Sequence, residues 1–143
     1  MKILIINGPN LNFLGIRETS VYGTLSYNEF CDKLVKYGEE KNIQISITQT
    51  NYEGKIIDLL QEAHFDDEIK GIILNAGGYT HTSVAIRDAV SSINKAVIEV
   101  HLSDISKRET FRHFSYLTDV TKKSFIGKGI NSYIEAIDYL NKK

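Results

Sequence analysis

The aliphatic run Ile3-Leu4-Ile5-Ile6, closed by Asn7-Gly8-Pro9-Asn10, restricts this chain more than any other stretch. It is apolar without alternation, so both faces of the strand it forms must be covered. Strands of that kind belong to the interior of parallel sheets. A parallel neighbour is reached only through a crossover, most simply a helix. The residues that follow supply such crossovers. Ser26-Tyr27-Asn28-Glu29 fits a capping box, and Tyr27, Phe30, Leu34 and Tyr37 then recur at helical spacing, with Gly38 as the predicted stop. Ile43, Ile45 and Ile47 alternate with Gln44, Ser46 and Thr48, the pattern of an edge strand with one drier face. Ile56, Ile57, Leu60, Ala63 and His64 mark a second helix.

A third strand is expected from Gly71 to Leu74, ending at Asn75, and a third helix with Ala85, Ile86, Ala89, Val90 and Ile93 on its core face. Ala96 to Val100 reads as a fourth strand, interrupted by Glu99 and closed by His101. Residues 103–121 lack a clear period; the expectation is a short helix within Arg108 to Tyr116. Ser124-Phe125-Ile126 is a fifth strand, and a last helix turns Tyr133, Ile134, Ile137 and Leu140 inward. Strand and helix thus alternate five times, which predicts a single α/β domain over 1–143, a five-stranded parallel sheet with helices on both faces. With strand two at an edge, the predicted order is 2-1-3-4-5. Its switch point sets the loop after Asn7 against the turn after Asn75, with His101 alongside. Ligands of open α/β sheets bind there, at the carboxyl ends of the strands.

Seventeen Lys and Arg against eighteen Asp and Glu leave no field for nucleic acid or an anionic membrane. An anionic ligand must be held by a few local cations. The lone cysteine, Cys31, forms no internal disulfide and suits a reducing compartment. The first apolar run is too short for a signal-peptide core and none reaches membrane-spanning length, so the expectation is a soluble cytoplasmic domain.

Residues 8–25 carry no regular pattern, and loops of that length in compact domains are often lids or binding loops. This one holds Asn10, Asn12, Arg17 and Tyr22. A phenol titrates near pH 10, too high for a base at neutral pH, but a nearby cation favours the phenolate. Tyr22 beside Arg17 could then take a carbon-bound proton; the plainer alternative is an exposed loop pair. Glu99 and His101 point to one face of their strand, so the carboxylate can orient and charge the imidazole as an acid. The alternative is a satisfied histidine near a sheet edge. Asn75, Tyr79, His81 and Ser83 surround the turn after strand three, where chemistry is expected. Ser83 or Thr82 is more simply an N-cap, and His81 either donates to a ligand hydroxyl or bonds only to backbone. Leu102 and Ser103 offer backbone N–H groups and a hydroxyl to a carboxylate. Arg108 and Arg112 could grip an anion or form a solvated face. The histidines lack the spacing of a metal site, and no Walker loop or complete dinucleotide fingerprint is present.

Gly8-Pro9-Asn10-Leu11-Asn12, Gly15-x-Arg17-Glu18 and Tyr22-Gly23 resemble the first signature of the type II 3-dehydroquinate dehydratases. Tyr79-Thr80-His81-Thr82-Ser83-Val84-Ala85-Ile86-Arg87-Asp88 resembles the second. Glu99-Val100-His101-Leu102-Ser103 and Arg108-Glu109-x-Phe111-Arg112-His113-x-Ser115-Tyr116 resemble the third. The likeness runs from residue 3 to about residue 140. It implies a flavodoxin-like fold and dehydration of 3-dehydroquinate to 3-dehydroshikimate in the shikimate pathway. The implied mechanism is acid–base elimination through an enolate, with no Schiff base, metal or cofactor. Matched residue by residue, Tyr22 is the base and Arg17 its cation. Asn10 and Asn75 lie around the enolate and substrate. His101 is the acid and Glu99 its orienter. His81 and Arg112 contact ring hydroxyls, Leu102 and Ser103 hold the carboxylate, and Asp88 reaches a neighbouring subunit's site. The resemblance also implies a dodecamer, a tetramer of trimers. Thr19, Gly78 and Asp104 depart from the family's commoner residues; looser lid, looser turn and weaker carboxylate binding are the respective expectations. A flavin or phosphate module would want a Ser/Thr- or Gly-rich loop after strand one. A phospho-receiver would want acids where Asn7 and Asn75 stand.

Overall fold

A computed structural model describes residues 1–16, 19–22 and 24–142, without the side chains of residues 21 and 22. Among the described residues one parallel sheet contains β1 (Lys2–Asn7), β2 (Gln44–Gln49), β3 (Ile69–Asn75), β4 (Ala96–His101) and β5 (Lys123–Ile126), in the order β2-β1-β3-β4-β5. The helices are α1 (Thr19–Tyr22), α2 (Tyr27–Glu40), α3 (Glu53–His64), α4 (Val84–Ser92) and α5 (Ile130–Asn141). Architecture and strand order agree with the sequence expectation.

The period of two along a strand sorts the apolar residues into two cores. Ile3 and Ile5 of β1 and Ile73 of β3 pack with Phe30 and Leu34 of α2 and Tyr133, Ile137 and Leu140 of α5. Leu4, Ile6, Ile72 and Leu74 pack on the other face with Ile56 and Leu60 of α3 and Ile86 and Val90 of α4. On β4, Val97 belongs to the second core. Glu99 and His101 share its parity, so they point to the α3/α4 side, beyond the cover those helices provide.

The capping box is complete: Ser26 Oγ accepts from Glu29 N at 3.1 Å, and Glu29 Oε1 accepts from Ser26 N at 3.2 Å. Gly38, however, does not end α2. The helix runs on to Glu40, and Asn42 takes the left-handed turn with φ 60°. Gly38 is there for close packing: a Cβ would lie 2.4 Å from Ile45 Cγ1 and 2.7 Å from the Ile43 carbonyl oxygen.

The helix expected within Arg108 to Tyr116 is replaced by isolated 3₁₀ turns at Ile105–Lys107 and Thr110–Arg112, with Arg108 extended between them. Tertiary ties hold this segment instead of a helical ladder. Tyr116 N donates to the Thr80 carbonyl and Lys122 N to the Val97 carbonyl, each at 2.9 Å. Arg87 donates to the Tyr116 carbonyl at 2.9 Å and pairs with Asp119, while Leu117 is fully buried in the second core. In the 8–25 loop, the described part holds a 3₁₀ turn at Leu11–Phe13 and the short α1.

Candidate active site

The register aligns Asn7 with Asn75, so β1 and β3 end level with each other. Gly8 N donates to the Asn75 carbonyl at 2.7 Å. A Cβ on Gly8 would sit 2.5 Å from the Ala76 carbonyl oxygen, so only glycine lets the two turns touch. Beside this junction opens a cavity of about 130 Å³. Its walls include Asn10, Asn75, His81, His101, Leu102, Ser103, Arg108 and Arg112. Three separated stretches thus meet at the switch point, as the strand order predicts.

His101 closes β4 and is nearly buried. Its Nε2 lies 2.7 Å from Glu99 Oε2. An ionised carboxylate only accepts, so Nε2 carries a proton and Nδ1 is the ring nitrogen left for other partners. Glu99 is fully buried and receives three further bonds: from Ser115 Oγ at 2.6 Å, Thr118 Oγ1 at 2.7 Å and Ser124 Oγ at 2.9 Å. Burial alone would raise this carboxyl; the His101 contact and the hydroxyl donors overcome it and hold the group at about 2. An anionic Glu99 therefore stands behind the imidazole across the neutral pH range.

His81 Nδ1 donates to the Phe114 carbonyl at 2.8 Å. Burial, the largest influence, pushes the His81 imidazole down; the Phe114 carbonyl opposes, and His101 and Arg112 push the same way as burial. Neutral His81 consequently presents Nε2 as an acceptor. It can receive a ligand hydroxyl's proton rather than give one, which refines the sequence reading of His81 as donor or backbone-bound.

Asn75 sits at the cavity wall and is almost wholly buried. Its Oδ1 accepts from Gly77 N at 3.1 Å and its Nδ2 donates to Tyr133 Oη at 2.8 Å. Tyr133 Oη donates in turn to Asn7 Oδ1 at 2.6 Å, and Asn7 Nδ2 donates to Tyr27 Oη at 3.2 Å. Asn10 takes the left-handed conformation with φ 70°, and its N–H donates to Asn51 Oδ1 at 3.1 Å. Ser103 Oγ accepts from Arg108 Nη1 at 3.2 Å, leaving its proton for an anion. Arg112 Nε donates to Glu109 Oε1 at 2.8 Å, and its guanidinium lies 5.2 Å from the Phe111 ring centroid.

Other expected residues lie elsewhere. Arg17 and the Tyr22 side chain fall outside the described residues. Asp88 is exposed on α4 and does not line the cavity. Tyr79 Oη donates to the Asn51 carbonyl at 3.1 Å, and Ser83 caps α4 through Ile86 N at 2.9 Å while donating to Glu53 at 2.5 Å. The N-cap reading of Ser83 holds, and Tyr79 ties its turn to the backbone of Asn51. Asp104 accepts from Ser106 N at 3.0 Å and Ser106 Oγ at 2.6 Å, and it caps the 105–107 turn instead of lining the cavity. Gly78 has open space where a Cβ would stand, so its turn does not require glycine. Sequence reasoning missed Ser115, Thr118 and Ser124 as partners of Glu99. Ser115 and Thr118 lie in a stretch without periodicity, where isolated hydroxyls carry no signal, whereas Ser124 stands on β5 opposite Glu99 in the register.

The family model described as Dehydroquinase class II matches residues 1–141 of this chain. The 3-dehydroquinate dehydratase of Fusobacterium nucleatum subsp. nucleatum is 48% identical over 142 residues, covering 98% of this chain and 96% of its own length. That of Francisella tularensis subsp. novicida is 47% identical over 147 residues, with 100% and 99% covered. The crystal structure of type II dehydroquinase from Butyrivibrio crossotus matches with a TM-score of 0.96 at 49% identity, over 99% of this chain and 97% of that one. A 3-dehydroquinate dehydratase-like protein from Bifidobacterium longum, 21% identical, shares the fold with a TM-score of 0.72.

Proposed function

Because this chain belongs to the class II dehydroquinase family, we propose that it removes water from 3-dehydroquinate to give 3-dehydroshikimate, as a step of the shikimate pathway. The observation that carries the reading is the buried Glu99–His101 pair at the wall of a cavity that also holds two guanidiniums. A ring with a carboxylate, a ketone and several hydroxyls suits those walls. Arg108 and Ser103 answer the carboxylate, while Arg112, Asn75 and neutral His81 answer hydroxyls.

The reaction is an elimination. A base removes the proton on C2, next to the ketone; the electron pair passes into the carbonyl as an enolate. The enolate then collapses, the C1–O bond breaks, and His101 protonates the departing hydroxyl so that water leaves. Glu99 orients the imidazole through its bond to Nε2. Tyr22 is the base, with Arg17 keeping it ionised, and Asn10 and Asn75 stabilise the oxyanion with preorganised donors. The proton gained by Tyr22 returns through solvent to His101, which closes the cycle without a covalent adduct.

Assembly belongs to the same reading. Exposed Asp88 would serve the cavity of a neighbouring copy in a trimer, and four trimers would form a dodecamer in the cytoplasm. The direct test is incubation with 3-dehydroquinate while following the absorbance of the conjugated enone. Growth of that band at a rate proportional to enzyme is the expected result, and its absence at high enzyme concentration overturns the proposal.

A further inference from the structure

We propose that Ser115, Thr118 and Ser124 are positioning residues for His101, acting through the buried Glu99 carboxylate; the inference rests on the dehydratase reading above. The last torsion of a glutamate is broad, so a carboxylate beside an imidazole does not fix its own plane. Here it is pinned at both oxygens. Oε2 is shared by His101 Nε2 at 2.7 Å and Ser115 Oγ at 2.6 Å. Oε1 is shared by Thr118 Oγ1 at 2.7 Å and Ser124 Oγ at 2.9 Å. Thr118, exposed as a whole, still turns its hydroxyl inward to reach Oε1. All four neighbours donate, an arrangement suited to the ionised carboxylate. Rotating that carboxylate would break every one of these bonds and release the imidazole from its direction. The geometry also ranks the three hydroxyls. Thr118 and Ser124 back each other on the same oxygen, whereas Ser115 is the only hydroxyl among the described residues on the oxygen that faces His101.

The test uses the full-length enzyme with Ser115→Ala, Thr118→Val, Ser124→Ala and the Thr118→Val/Ser124→Ala double variant. Losing a hydrogen bond to a buried charge corresponds to about ten- to hundred-fold in rate. We expect that loss in kcat for Ser115→Ala and for the double variant, with KM within about two-fold of the parent. Thr118→Val and Ser124→Ala alone lose less, so the double exceeds the product of the singles. Ser115→Thr and Thr118→Ser, which keep a hydroxyl, retain parental kcat. The proton NMR signal of the His101 Nε2–H, shifted downfield by its bond to Glu99, broadens or moves in the double variant.

Parental kcat in the double variant, a loss confined to KM, or an unmoved His101 N–H signal overturns the inference. An inactive parent enzyme overturns the dehydratase reading instead, and the NMR signal still reports on positioning. Should the double variant fail to fold, Ser115→Ala is read by the same signal, and an unmoved line counts against the idea.

Discussion

The chemistry of this molecule is concentrated in a few groups whose protonation is set by burial and partners. Glu99 illustrates the sign. Its folded-state carboxyl lies near 2, below the usual 4.5, so it binds fewer protons folded than unfolded. The stability it contributes is therefore complete above about 4.5 and is lost as pH falls toward 2. Urea unfolding across that range should show the parent falling steeply and Glu99→Gln falling less, the two converging at the acid end. Parallel curves would contradict the assignment. At Tyr22 the expectation comes from chemistry: a phenyl ring cannot accept a proton. Tyr22→Phe should lose nearly all turnover, on the order of a thousand-fold, while a competitive ligand binds about as before. Stopped-flow turnover and calorimetric binding check both halves.

Elements built on period and capping were legible, and those built on tertiary ties were not. The run Ile3 to Ile6 announced a strand covered on both sides because its own composition demands it. Ser26 and Glu29 announced the start of α2 because a capping box is local. Gly38 misled because glycine is both a helix stop and a close-packing residue, and only the position of Ile45 tells which applies. Gly38→Ala measures the difference. Alanine gains up to about 1 kcal/mol in helix propensity, but its Cβ collides with the Ile45 side chain and the Ile43 backbone, a clash of about 1–3 kcal/mol. Net destabilisation is expected, read as a lower urea midpoint. Residues 103–121 resisted reading because Ser115, Thr118 and Leu117 are held by Glu99 and by a core distant in sequence. The cavity residues, by contrast, were found through strand order, since Asn75, His81 and His101 sit where strands and the switch point put them.

At the scale of the whole molecule, polar contacts join layers that apolar packing only presses together. Tyr133 of α5 links Asn7 of β1 to Asn75 of β3, and Asn7 continues to Tyr27 of α2. Tyr133→Phe leaves two buried amides short of a partner, which costs about 1–3 kcal/mol. A lower urea midpoint together with a raised KM is expected, because Asn75 borders the cavity. If trimers complete one another's sites, Asp88→Ala should lower kcat/KM without altering the thermal midpoint of an isolated chain, and sedimentation velocity should report a species far heavier than the monomer. The connection between β4 and β5 has a consequence for engineering. It bears Arg108 and Arg112 and, further along its course, two of the Glu99 donors, Ser115 and Thr118. A surface loop can usually be lengthened, shortened or exchanged between relatives; this one cannot. A single inserted residue would shift guanidiniums and hydroxyls out of phase with each other, so grafting it into another scaffold would require transplanting the strand beneath it as well.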